Sequence, residues 1–267
     1  MTIVKVAVYQ FGPQRGDKSV NLKNITDTIS GYSDIHLWIL PELATTGYLF
    51  DSLEALRSQA EQIPAGATCR FIQSITRKLN CALILGLAEK EGNDVFNSAV
   101  VYDRGNYLGS YRKIHLFDRE KRLFTAGTQE PPVLLVNGAR VGIMICFDWF
   151  FPETARMLAL KGAQLIAHPS NLVLPYCPEA MITRSIENRI FTVTANRTGV
   201  ERLEDGTALT FTGNSQIIDP MGKRLGQLST TDQGVLVREI DLTAADNKWL
   251  TENNHVFQDR RVDLYNL

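Results

Sequence analysis

Three stretches of this 267-residue sequence run from a strand-like or apolar segment into a side chain able to do chemistry. Val141-Gly142-Ile143-Met144-Ile145 is apolar up to Cys146, after which Phe147 to Glu153 turn toward a helix whose first turn Pro152 and Glu153 suit. This spacing predicts Cys146 at a strand end, where α/β enzymes gather nucleophiles and ligands, and a nearby helix N-terminus would favour its thiolate. Leu37 to Pro41 similarly deliver Glu42, and desolvation beside so much apolar sequence favours a protonated carboxyl able to shuttle protons. A third stretch, Gly109 to Glu120, carries Lys113 and ends on a second acid. A thiol placed to attack and a carboxyl suited to shuttle protons are the parts of nucleophilic catalysis. Each residue also has a plainer use. Free cysteines are often buried for packing, a glutamate after a strand can occupy a surface loop, and an Arg112-Lys113 pair usually marks a solvated edge strand.

A thiol can instead pair with a histidine, and His168, at the end of a strand-like run over 164–167, is the candidate. The segment Ala167-His168-Pro169-Ser170-Asn171 suits a hydrogen-bonded packing histidine equally, and spacing identifies no carboxylate or amide to orient it. Cys177, between Tyr176 and Pro178, lacks the strand-to-turn context and reads as a packing or pocket-lining residue. The four cysteines form no CxxC pair and read as free thiols, and the four histidines show no zinc-ligand spacing. No metal or other cofactor is expected.

Strands must position these groups. Apolar runs over 3–9, 37–40, 82–87, 98–102, 141–145, 164–167, 191–195 and 215–218 predict strands, with amphipathic helices over 21–29, 67–79, 153–161 and 179–189. Asp103-Arg104-Gly105-Asn106 and Asp219-Pro220-Met221-Gly222 read as tight turns between consecutive strands. The pattern is mixed α/β, in one large sheet or two packed ones, and without repeats or linkers it predicts a single domain over residues 1–267. The 28 Lys and Arg nearly cancel the 29 Asp and Glu, so the electrostatic footprint of a nucleic-acid partner is missing. The opening MTIVKVAVYQ is too short for a signal-peptide core and no apolar run reaches membrane-spanning length, which predicts a cytoplasmic protein with no membrane partner.

Taken together, the motifs resemble the nitrilase superfamily of carbon-nitrogen hydrolases in its compact form. Pro41-Glu42 with Thr46-Gly47-Tyr48 is similar to its glutamate motif, Tyr111 to Phe117 to its lysine motif, and Gly142 to Asp148 to its nucleophile motif, in family order. Glu120, ahead of Phe124 and Gly127, resembles the family's additional glutamate, and Asp259-Arg260-Arg261 its tail motif. The resemblance implies a four-layer αββα sandwich and a homodimer formed through helices after Cys146 and near 179–189. It implies Glu42, Lys113 and Cys146 as the catalytic residues with Glu120 assisting, and hydrolysis through a thioester on Cys146. The expected partner is a small-molecule amide or nitrile. Cys146-Phe147-Asp148 looks more like the amidase side than the Cys-Trp-Glu run of nitrilases, so a small non-peptide amide is the leading substrate, with small nitriles or N-carbamoyl amines as alternatives. Tyr48, Phe117, Phe147, Trp149 and Asn171, beside the motifs, are the candidate substrate-binding residues, Phe147 through its backbone N–H. The aromatic members fit core packing as well. A non-catalytic scaffold of the same fold would show a broken triad, and here all of its members are present.

Overall fold

The computed structural model describes residues 2–265. Its strands are β1 (Ile3–Gln10), β2 (Leu37–Ile39), β3 (Ala82–Glu91), β4 (Asp94–Asp103), β5 (Asn106–Arg112), β6 (Val133–Val136), β7 (Ala139–Ile143), β8 (Leu165–Pro169), β9 (Phe191–Ala195), β10 (Val200–Arg202), β11 (Ala208–Thr210), β12 (Gln216–Ile218), β13 (Arg224–Gln227) and β14 (Gly234–Asp241). The helices are α1 (Lys18–Ser30), α2 (Leu53–Gln59), α3 (Ala67–Leu79), α4 (Glu120–Leu123), α5 (Pro152–Leu160) and α6 (Cys177–Asn188). Two six-stranded sheets result, in the orders β14-β1-β2-β3-β4-β5 and β13-β12-β9-β8-β7-β6. In each, three neighbouring strands are parallel, β1-β2-β3 in one and β7-β8-β9 in the other, and antiparallel strands complete both sides.

Period-two alternation decides which side chains join the sheets. Along β1 to β4, Val6, Val8, Leu37, Ile39, Ile84, Ala99 and Val101 face the core between the sheets, with Ile143, Ile166 and Val193 of the second sheet in the same cluster. The intervening Ala7, Tyr9, Trp38, Leu83, Leu85 and Val100 point outward into a separate core with α1 and α3. Ile25 and Ile29 of α1 and Cys69, Ile72 and Ile75 of α3 recur at helical spacing on the faces that close that core. Ala155, Leu158, Cys177 and Met181 of α5 and α6 cover the second sheet in the same way. The order helix, sheet, sheet, helix is the αββα sandwich.

Local signals mark the helix ends. Asp17 caps α1 by accepting the Val20 N–H at 3.0 Å, Asn80 ends α3 in the left-handed conformation, and Pro152 opens α5. Both anticipated turns join neighbouring strands, β4 to β5 and β12 to β13. Among the described residues, no helix is long and apolar enough to cross a membrane.

Candidate active site

The geometry of the sheets brings the chemical residues to one rim. Glu42 lies three residues beyond β2, Cys146 three beyond β7 and Asn171 two beyond β8, all at the C-terminal ends of parallel strands. β5 runs in the same direction as β3, with antiparallel β4 between them, so Lys113 emerges at that rim too. β7 ends at Ile143 rather than at the anticipated Ile145, because residues 146–150 tighten into a 3₁₀ turn that begins with the cysteine. Cys146 itself has φ +40°, and Leu43, immediately after Glu42, has φ +48°. Left-handed backbone is unfavourable for side-chain-bearing residues and persists only where surrounding contacts enforce it.

Asp148 supplies one such contact set. Its Oδ2 accepts the Tyr111 hydroxyl at 2.8 Å and the Ile145 N–H at 2.9 Å, while Oδ1 accepts the His115 N–H and meets His115 Nδ1 at 2.8 Å. One buried carboxylate therefore ties the cysteine turn to the lysine segment. Neither Asn97 nor Gly86 stands out as a site residue in the sequence, yet both support Glu42. The Asn97 amide donates to Glu42 Oε1 at 2.7 Å, and a side chain on Gly86 would collide with the Glu42 backbone. The available signal was Asn97 itself, which with Ser98 interrupts the apolar residues in the middle of β4.

Lys113 is wholly buried, not the solvated edge-strand charge that Arg112-Lys113 suggests. Arg112 takes the solvated role, pairing with Glu89 and Glu91. Lys113 Nζ donates to Glu42 Oε1 at 2.7 Å and to Glu120 Oε1 at 2.8 Å, which leaves one of its three N–H bonds for another acceptor. Glu120 is fixed further by the Tyr48 hydroxyl at 2.8 Å on Oε1 and the Phe117 N–H at 3.0 Å on Oε2. Glu42 Oε2 meets no donor among the described residues. A buried carboxylate oxygen without a partner is expensive unless a ligand or a transferable proton uses it.

Burial raises the Glu42 carboxyl above its ordinary value, an effect that Lys113 opposes and Glu120 reinforces. Burial alone would drive Lys113 toward neutrality, but Glu120 and Glu42 overturn this and hold its ammonium above the usual lysine range. Burial, then the Glu42 charge, push the Cys146 thiol well up, with Lys113 acting the other way. The thiolate expected from a helix N-terminus is thus overridden, chiefly because burial penalises the charged form and further because the carboxylates oppose a second negative charge. Cys146 is held as a thiol, and any reaction at Sγ requires a neighbour to accept its proton.

The thiol opens on a small cleft lined by Phe117, Phe147, Trp149, Asn171, Leu172 and Val173. Of the candidate binding residues, Phe117, Phe147, Trp149 and Asn171 line that cleft, whereas the Tyr48 hydroxyl is engaged by Glu120. The Asn171 amide donates to the Glu42 carbonyl at 2.9 Å. His168 is buried and bonds through Nε2 to the Cys146 carbonyl at 2.9 Å, and through Nδ1 to Thr194 at 3.1 Å. It braces the Cys146 backbone and makes no bond to the thiol. Cys177 is packed in the core at the start of α6.

Burial lowers His168 from its ordinary 6.5 to about 4, so the folded protein keeps it neutral where the unfolded chain takes up a proton. Its contribution to stability is full above pH 6.5 and is lost as pH falls toward 4, by up to about 1.4 kcal/mol per pH unit. Between pH 7 and pH 5, urea unfolding of the wild type should therefore lose about 2 kcal/mol more than that of His168→Gln. Equal losses would mean that His168 is not held neutral.

An αββα sandwich with a buried lysine, two carboxylates and a cysteine gathered at one rim has the makings of an enzyme site. The model of the carbon-nitrogen hydrolase family matches residues 5–247. A nitrilase of Pyrococcus abyssi is 44% identical over 265 residues, which cover 98% of this chain and 99% of that one. A carbon-nitrogen hydrolase of Helicobacter pylori superposes with a TM-score of 0.90 at 25% identity, over 99% and 98% of the two chains. The amidase of Nesterenkonia superposes with a TM-score of 0.78 at 29% identity over 98% and 95%, in a variant whose active-site cysteine carries the acetamide moiety of fluoroacetamide. The chain belongs to the carbon-nitrogen hydrolase family, within the nitrilase superfamily, and is a hydrolase of that superfamily.

Proposed function

We propose that the protein hydrolyses a small, uncharged amide through a thioester on Cys146. The observation that carries this reading is the buried constellation itself, in which Lys113 bridges Glu42 and Glu120 with one N–H in reserve and Glu42 keeps one oxygen unpartnered. Glu42 Oε2 takes the thiol proton as Sγ bonds to the amide carbon, and the carbonyl electron pair moves onto oxygen. The reserve N–H of Lys113 and the Phe147 backbone N–H hold that oxyanion. Its collapse breaks the carbon–nitrogen bond as Glu42 returns the proton to the departing ammonia or amine. Glu42 then takes a proton from water as the water oxygen adds to the thioester carbon, and when the C–S bond breaks it returns that proton to Sγ, which releases the carboxylic acid and restores both the thiol and the carboxylate. One carboxyl serves alternately as base and acid in both half-reactions, a cycle suited to a carboxyl whose proton affinity is raised. Glu120 orients Lys113 throughout.

The cleft lining is apolar apart from the Cys146 thiol and the Asn171 amide, which favours a short neutral acyl group over an ω-carboxylated one. A second reading is supported by the Pyrococcus relative named a nitrilase. Sγ addition to a nitrile carbon, with the proton passing to nitrogen, produces a thioimidate; water adds, ammonia leaves, and the same thioester follows. Ammonia release from short aliphatic amides, ω-carboxylated amides, N-carbamoyl amines and dinitriles separates these readings. We expect the neutral amides to turn over fastest. Release from dinitriles alone would transfer the protein to the second reading, and release confined to ω-carboxylated amides would overturn the neutral-substrate assignment.

A further inference from the structure

The mechanism makes no use of a second buried ion pair close to the site. Arg197 and Glu201 are 2% and 4% exposed, and they pair through Arg197 Nη1 and Glu201 Oε1. Burying two charges is costly, so a retained pair calls for a reason beyond stability. The carboxylate of Glu201 has one. It accepts the backbone N–H of Tyr48 at 3.0 Å and of Leu49 at 2.7 Å, from a chain segment more than 150 residues earlier. Gly47 permits this approach, since it adopts φ +79° and a side chain there would come within 2.8 Å of Glu201 Oε1.

The same unit also holds the Tyr48 ring. The Arg197 guanidinium lies 4.0 Å from the centre of the Phe211 ring, and Phe211 meets the Tyr48 ring edge-on at 5.9 Å. Arg197 is anchored in turn to the carbonyls of Pro13 and Thr198. With its backbone held by Glu201 and its ring by Phe211, Tyr48 can aim its hydroxyl at Glu120 Oε1, the oxygen that also accepts Lys113.

We infer that Glu201, held by Arg197, is a positioning residue for the reaction, acting through Tyr48 on Glu120 and so on the reserve N–H of Lys113. The inference rests on the hydrolase reading for its kinetic consequence, although the network itself does not depend on it. Misplacing the oxyanion donor by a fraction of an ångström lowers kcat while substrate binding changes little.

The test is a double-mutant cycle of Glu201→Gln and Tyr48→Phe, read in kcat and KM on the best substrate and in the rate of Cys146 alkylation by iodoacetamide. Each single variant should lower kcat about tenfold with KM within about twofold, and the double variant should be no slower than the slower single one. Multiplicative losses, or an unchanged kcat in Glu201→Gln, would overturn the inference. Alkylation reads the same network without turnover. If the wild type hydrolyses nothing, effects on alkylation that still fail to multiply keep the positioning role and reject only the hydrolase reading. Should Glu201→Gln not fold, Glu201→Asp takes its place, because it keeps the charge beside Arg197 while withdrawing the carboxylate from Tyr48.

Discussion

Cys146→Ala should lose about 10⁵- to 10⁶-fold in turnover on whichever substrate the wild type accepts, while remaining folded. In the proposed mechanism the nucleophile is the one participant for which no neighbour can substitute. His168 donates to the Cys146 carbonyl and is held neutral, Cys177 is enclosed in the core, and Glu42, as a direct nucleophile, would lose the carboxyl that moves protons. Cys146→Ser should be nearly as impaired, because a hydroxyl gives up its proton to Glu42 far less readily than a thiol does. The fold should tolerate both changes, since the turn at Cys146 is held by Asp148 and His168 through backbone groups that neither substitution touches. Steady-state rates paired with thermal melts check this. Retention of even a tenth of wild-type turnover in Cys146→Ala, with an unchanged melt, would remove Cys146 from the mechanism.

Lys113→Met should harm both activity and stability, and in distinguishable ways. Removing an oxyanion donor costs about 10²- to 10³-fold in kcat. Removing the ammonium also leaves Glu42 and Glu120 buried side by side without their counter-ion, which costs about 3–5 kcal/mol of stability at neutral pH. The sign of the pH dependence follows from the carboxylates. Glu42 already has a raised proton affinity in the fold, and the variant raises it further. A group whose folded value lies above its unfolded one stabilises most at low pH and loses that contribution as pH rises through the folded value. The stability deficit of Lys113→Met, measured by urea unfolding, should therefore shrink at pH 5 and widen at pH 8. Adding Glu120→Gln should restore much of the stability and none of the activity, which separates the structural role of the lysine from its role on the oxyanion. A Lys113→Met protein as stable as the wild type at pH 8 would contradict the charge balance described here.

The outline of the site was legible because local sequence carries it. The apolar runs before Glu42 and Cys146 form β2 and β7, and the two tight turns lie where their Gly, Asp and Pro residues indicate. Less was legible at the margins. β14 reads Gly-Val-Leu-Val-Arg-Glu-Ile-Asp, four apolar residues with three charged ones and a glycine, and becomes a strand by pairing along its whole length with β1. β6 leaves Leu135 exposed on an outer strand, and β10 with β11 is a hairpin of three-residue strands with exposed ends, whose one buried residue is the central Glu201. Short strands of this kind acquire their conformation from partners, so their own composition says little.

The sequence by itself determined the inventory of the central strands and of the four longer helices, and that a cysteine, a lysine and two glutamates follow or neighbour them in a recognisable order. Periodicity and turn chemistry act over a few residues, so one stretch of chain suffices to read them. Only the tertiary structure decided that Lys113 is buried against carboxylates 71 and 7 residues away, and that the Cys146 thiol keeps its proton. It alone made Tyr48 a support for Glu120 and brought Glu201 beneath Tyr48. Charge state and hydrogen-bond role depend on desolvation and on distances between groups remote in the chain, and those quantities come into being when the two sheets close over their shared core.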